Sequence, residues 1–150
     1  MEPNIREYID EDIDFYLQGE IEAFQSTYPG ISVTKDMKKE FKDNVLRSVV
    51  SGASKGFTLE DKRPIGFVML ATQNVFNTPV GYIENIYVIK EVRNKGFGRR
   101  LLKFAEEFCR KEGCGILQLD VSVYHKAAFK LYESEGFAIT SYKMEKIIAI

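Results

Sequence analysis

Arg93-Asn94-Lys95-Gly96-Phe97-Gly98 decides how the rest of this chain is read. The stretch lies between an apolar run at residues 82–89 and a helical pattern at 99–111. It is therefore a basic, glycine-bearing turn that joins a strand to a helix start. A helix N-terminus leaves backbone N–H groups unpaired and carries partial positive charge. Gly96 and Gly98 present no Cβ to an approaching ligand, and Arg93, Lys95, Arg99 and Arg100 gather positive charge around them. A pyrophosphate suits such a cradle best; the plain alternative is an ordinary connection whose charges are solvated. Two nucleotide motifs fail. A dinucleotide fingerprint needs a third glycine where Leu101 stands, although Asp120 has the type and rough distance of its acidic partner. A P-loop needs Gly-Lys-Ser or Gly-Lys-Thr, and Gly98 is followed by Arg99-Arg100.

The 150 residues predict one domain with a full core, and 45% hydrophobic with 29% charged residues is ordinary globular composition. A net charge of −1 and a pI of about 5.9 argue against nucleic acid or an anionic membrane as partner. The charge is uneven, however: acidic residues crowd the first 22 positions, whereas residues 90–103 are basic. His125 is the only histidine and Cys109 and Cys114 the only cysteines, so no metal site is expected and the thiols read as reduced. No Gly-x-Ser-x-Gly elbow accompanies His125. The acidic start, with no apolar core, does not read as a signal peptide, and no run reaches membrane-spanning length, so a cytoplasmic protein is expected.

Outward from the turn, the pattern reads as follows. Residues 5–9 form a short strand, and Asp10 caps a helix whose Ile13, Tyr16, Leu17, Ile21 and Phe24 recur at helical spacing. A second helix follows Thr34 and ends near Gly52 and Gly56. Strands at 57–60 and 65–73 make a hairpin, and 81–89 is a further, central strand. After the helix closed by Gly113 comes a strand at 116–123, reached through that helix and so parallel to its predecessor. Residues 126–135 form a short helix, and 137–148 one long strand or two short ones.

This order, with an Arg-x-x-Gly-x-Gly turn after the fourth strand, resembles the GNAT superfamily of acyl-CoA-dependent N-acetyltransferases. Ile86-Tyr87-Val88 before the turn, Leu117-Gln118-Leu119-Asp120-Val121, and Ala128 through Leu131-Tyr132-Glu133 to Gly136-Phe137 carry the resemblance. It implies an α/β, three-layer αβα fold over residues 1–150, with a mixed, mostly antiparallel sheet and one splayed parallel strand pair. It also implies acetyl-CoA as cosubstrate. The pyrophosphate would rest on the backbone of Asn94, Lys95, Gly96, Phe97 and Gly98, with Arg93 and Arg99 adding charge. The pantetheine arm would pair with Ile86, Tyr87 and Val88. Family members often place an Asn at the start of the last helix to bond that arm; this chain has His125, whose N–H could substitute.

An alkylammonium of pKa about 10.4 is neutral only in about one part in 10³–10⁴ at pH 7, which costs roughly 4–5 kcal/mol of available nucleophile. A carboxylate that takes the proton offsets this cost. Glu84 stands where the family's polyamine acetyltransferases carry a glutamate base, and Asp120 where its ribosomal-protein acetyltransferases carry theirs; either can instead be a structural strand-end carboxylate. Near Ile86 or Tyr87 the family offers a backbone N–H to the developing oxyanion. Tyr132 aligns with the donor to the departing thiolate. A phenol of pKa about 10 is a weaker acid than a thiol of about 8.5, so hydrogen bonding describes that role better than full transfer. The expected reaction is direct attack by a primary amine in a ternary complex. A small cationic amine is favoured by the acidic N-terminal segment, with a protein N-terminus, a lysine, or acyl-CoA sensing without turnover as alternatives. The short tail leaves the acceptor side open, or completed by a second subunit in a homodimer.

Overall fold

The computed structural model describes residues 2–149; Met1 and Ile150 of the expected 1–150 domain lie outside the described residues. In chain order the elements are β1 (Asn4–Glu7), α1 (Ile13–Thr27), α2 (Lys35–Ser51), β2 (Lys55–Asp61), β3 (Arg63–Val75), β4 (Thr78–Val88), α3 (Phe97–Lys111), β5 (Ile116–Leu119) and α4 (Lys126–Ser134). The sheet runs β1-β2-β3-β4-β5; neighbours are antiparallel except β4 and β5, which are parallel. The fold is the three-layer αβα arrangement with a mixed sheet.

Alternation along the strands separates the two faces. Thr58, Phe67 and Met69 point to the α1/α2 side, where Phe67 stacks on Tyr16 at 4.0 Å. Phe57 points to the other side and packs on Phe104 and Phe108 of α3. Gly19 of α1 lets that helix press onto the sheet, since a Cβ there would lie 2.4 Å from Phe67. On the opposite face Leu101, Leu102, Ala105 and Cys109 form the buried stripe of α3.

One polar group is buried under the start of α1. Asp12 is 2% exposed and takes a bidentate pair from Arg6 (2.8 and 3.0 Å), with further bonds from Thr58 Oγ1 (2.9 Å) and the Ile9 N–H (3.1 Å). Burial alone would raise Asp12; the bonds from Arg6, Ile9 and Thr58 outweigh it and hold the carboxyl below the usual range. Arg6 also binds Glu60, so one cluster joins β1, β2 and the entry to α1. Asp10 is not the helix cap the pattern suggested: a 3-10 turn at Asp10–Asp12 intervenes, and Asp12 occupies the cap position.

Elsewhere the local signals act as expected. Thr34 Oγ1 accepts from the Met37 N–H at 3.2 Å, and Gly52 ends α2 in the left-handed region. Phe76 and Asn77, both at positive φ, make the two-residue turn between β3 and β4. Two expectations fail. β5 stops at Leu119 instead of reaching residue 123, and residues 137–149 form no strand. Among the described residues the tail pairs with no strand.

Candidate active site

β4 has two different ends. Val80, Gly81, Tyr82 and Ile83 pair with β5 across residues 116–119, but β5 goes no further. From residue 85 to 88, β4 remains paired with β3 on one side only. The register also slips between Met69 and Leu70, so Glu84 is the unpaired extra residue of a β-bulge. The parallel pair therefore opens into a cleft whose wall is the unpaired main-chain edge of Asn85, Ile86, Tyr87 and Val88. Of these, the Tyr87 side chain belongs to the core, with its hydroxyl 2.9 Å from Gln18 Nε2, so only its backbone faces the cleft edge.

The basic turn lies beyond that edge. Asn94 (φ 64°) and Gly96 (φ 86°) are both left-handed, and Gly96 takes the cap position of α3 with no side chain bonding the first-turn N–H groups. Those donors stay available to an anion. The two glycines do different work. Gly96 has open space around its missing Cβ and is required for its φ, whereas a Cβ on Gly98 would meet Leu131 of α4 at 3.1 Å. Gly98 thus also lets α4 pack closely against the start of α3.

The basic side chains divide as well. Arg93 binds the Val88 carbonyl through Nε (2.8 Å) and Glu22 through a terminal nitrogen (2.5 Å), tying the end of β4 to α1. Arg99 is paired with Glu135 at the end of α4. Lys95 and Arg100 have no salt-bridge partner among the described residues and are the free cations of the turn.

On the α1/α2 side of the bulge is a cavity of about 300 Å³ lined by Glu20, Phe41, Asn44, Val45, Ser48, Met69, Tyr82 and Glu84. Glu84 accepts a short hydrogen bond from Ser54, a buried hydroxyl just before β2. Glu20 is raised above the usual carboxylate range, chiefly by burial and further by the Glu84 charge, while the Asn85 amide directed at it favours ionisation. Asn85 Nδ2 nevertheless completes no hydrogen bond of normal geometry. Sequence reasoning missed Glu20, Ser54 and Tyr82. For Glu20 a signal was present: a carboxylate four residues after the buried Tyr16, on the inward face of α1.

Asp120 lies just past β5 and takes a short hydrogen bond from the Tyr82 hydroxyl. Burial, that bond and the Asp120 charge push the Tyr82 phenol up to about 12. Of the two carboxylates expected as bases, Glu84 therefore lines the cavity, and Asp120 is engaged at the β4–β5 seam. Tyr132 on α4 rests edge-on against Phe137 at 6.0 Å, and burial raises its phenol. His125 caps α4 with its backbone carbonyl taking the Phe129 N–H, leaving the imidazole without a capping bond. Both thiols are free; burial and neighbouring Cys114 push Cys109 up to about 11, which disfavours its thiolate.

A mixed sheet with one splayed parallel pair, a bulge at the splay and an uncapped helix beyond it is the frame of one acetyltransferase fold. The acetyltransferase (GNAT) family profile matches residues 17–137, and the chain belongs to that family. An uncharacterized N-acetyltransferase of Methanocaldococcus jannaschii is 28% identical over 138 residues, covering 89% of this chain and 59% of that protein. The aminoglycoside N(6')-acetyltransferase type 1 of Serratia marcescens is 30% identical over 64 residues, 43% of this chain and 44% of that protein. The chain thus spans less than two thirds of the length of these relatives. Among solved structures, a predicted acetyltransferase of Clostridium acetobutylicum determined with acetyl-CoA superposes with a TM-score of 0.78 at 19% identity, covering 97% of this chain and 96% of that one. No described helix is long and apolar enough to cross a membrane.

Proposed function

We propose that residues 1–150 act as one catalytic domain that moves an acetyl group from acetyl-CoA to a small cationic amine. The observation that carries this reading is the continuous path from the uncapped start of α3, along the unpaired edge of β4, to the Glu84 bulge beside an acidic cavity. An extended amide-bearing arm fits an unpaired strand edge, and a pyrophosphate fits the Gly96–Arg99 N–H groups with Lys95 and Arg100 beside them. Arg93 and Arg99 act by fixing the turn through Glu22 and Glu135. The acetyl-CoA bound by the Clostridium protein and the aminoglycoside acceptor of the Serratia enzyme support the two halves of the reading.

The chemistry follows from the cavity. An ammonium beside Glu20 and Glu84 is attracted by both carboxylates, and Glu84 takes its proton, leaving a neutral nitrogen to attack the thioester carbonyl. A main-chain N–H next to the bulge receives the oxyanion. As the tetrahedral carbon collapses, the nitrogen gives up its second proton to water, the C–S bond breaks and the thiolate leaves. Tyr132, raised by burial, donates a hydrogen bond to it without losing its own proton. Asp120 holds Tyr82 in place as the wall of the cavity.

Thiol release from acetyl-CoA against polyamines, aminoglycosides, amino acids, lysine peptides and free-N-terminus peptides tests this directly. The expected result is turnover on polyamines or aminoglycosides, with kcat lowered by Tyr132→Phe. Turnover confined to peptides would assign a protein acceptor instead. Tight acetyl-CoA binding with no turnover on any amine would assign a sensing module.

A further inference from the structure

The end of α3 brings together two thiols that acyl transfer does not use. Gly113 lies at φ 84°, and its N–H bonds the Arg110 carbonyl at 3.0 Å. The Cys114 N–H bonds the Cys109 carbonyl at 2.9 Å, enclosing the first bond. This nested pair around a left-handed glycine is the Schellman helix ending. Its outermost two residues commonly put apolar side chains in contact, and here both of them are cysteines.

The spacing suits a covalent bond. Residues joined by such a backbone hydrogen bond hold their Cα atoms roughly 5–6 Å apart, within the range of about 4.4–6.8 Å that disulfides span. Cys109 is 2% exposed and Cys114 half-buried, and both are free. Burial raises the Cys109 thiol and the Cys114 sulfur beside it adds to the rise, as expected of neighbouring side chains. The pair also sits at a joint of the fold. Cys109 Sγ lies so close over Gly81 of β4 that a Cβ there would meet it at 2.5 Å. Gly81 pairs with Leu117, and Cys114 stands two residues ahead of Ile116, where the four-residue β5 begins. The thiols therefore lie at the base of the parallel pair, at the end opposite the Glu84 bulge.

We propose that Cys109 and Cys114 form a redox-modification site, in which a hydroperoxide closes a disulfide that ties the end of α3 to the start of β5. The Cys114 sulfur, the more accessible, attacks the peroxide O–O bond and becomes a sulfenic acid, and the other oxygen leaves as an alcohol or water. The Cys109 sulfur then attacks the sulfenyl sulfur. The S–S bond forms, the S–O bond breaks, and the hydroxyl departs as water with the Cys109 proton. The thiols together lose an electron pair and the peroxide gains it; a thiol reductant reverses the change by exchange. The proposal stands apart from acyl transfer, because it needs neither acetyl-CoA nor an acceptor.

Hydrogen peroxide treatment of the full chain, followed by mass measurement and thermal unfolding, tests it. The 17.2 kDa chain should lose about 2 Da without forming a covalent dimer. Trypsin cuts after Arg110 and Lys111, so the closed bond should appear as a linked pair of peptides that dithiothreitol separates. The Tm should rise by roughly 5 °C on closure and fall back on reduction. Cys114→Ser should unfold near the reduced wild type and show neither change. Gly113→Ala, which disfavours the left-handed residue between the thiols, should slow closure several-fold. Oxygen added to Cys114 with no linked pair, a bond between two chains, or a linked chain whose Tm is unchanged or lower would overturn the proposal.

Discussion

The two halves of the candidate site are built by different means. On the side of the α3 start and the β4 edge the working groups are main-chain N–H and C=O, set by φ angles and by strand pairing that stops at residue 83. On the α1/α2 side they are side chains, Glu20, Asn44, Ser54, Tyr82 and Glu84, gathered from three elements and the loop before β2. Backbone donors cannot be altered by most substitutions, so the first half suits a ligand common to a whole family. The second half can change residue by residue, which suits an acceptor that differs between members.

Substitutions separate the halves, and the largest effect is expected beneath the acceptor side. Asp12→Ala leaves Arg6 with Glu60 alone and takes the acceptor from Thr58 and the Ile9 N–H, and should cost about 3 kcal/mol, read by urea unfolding. Its pH dependence has a definite sign. Asp12 is held below its unfolded value near 3.9, so its contribution is complete above that pH and is lost as pH falls through the folded value. Wild-type stability should drop below about pH 4, and Asp12→Asn should flatten that drop.

Glu84→Gln comes next. It should lower kcat by about 10²–10³-fold with the KM for acetyl-CoA unchanged, because only the acceptor half is touched. An equal loss in acetyl-CoA affinity would erase the division between the halves. Gly96→Ala reverses the test: an alanine at φ 86° costs about 1–2 kcal/mol, and calorimetry should find weaker acetyl-CoA binding with acceptor preference kept. The smallest effect belongs to Glu20→Gln. It should raise the KM for diamines several-fold over monoamines, since the raised carboxylate is the one a second ammonium would help to ionise.

The same division explains how far the sequence could be read. The strand–turn–helix proposed for the cofactor was legible as a conformation because its residues are consecutive: Arg93 to Gly98 follow a strand and open a helix, and local chemistry fixes the backbone. Even there, the engagement of Arg93 with Glu22 and of Arg99 with Glu135 was hidden, as those pairs span 71 and 36 residues. Glu84 could be singled out, but not its place in a bulge, which depends on the slipped register against Met69 and Leu70. Glu20 reaches the cavity, and Ser54 reaches Glu84, only through tertiary packing. The tail misled for a physical reason: alternation suits a strand, but strand pairing is a tertiary contact that the pattern alone does not supply.

Amide chemical shifts during a titration with acetyl-CoA test the division most directly. The shifts should concentrate at Gly96, Phe97, Gly98 and Arg99 and along Ile86, Tyr87 and Val88, with Glu20, Asn44 and Ser48 little moved. Saturation with no change at the α3 start, or with changes confined to the α1/α2 side, would contradict a cofactor held by the main chain.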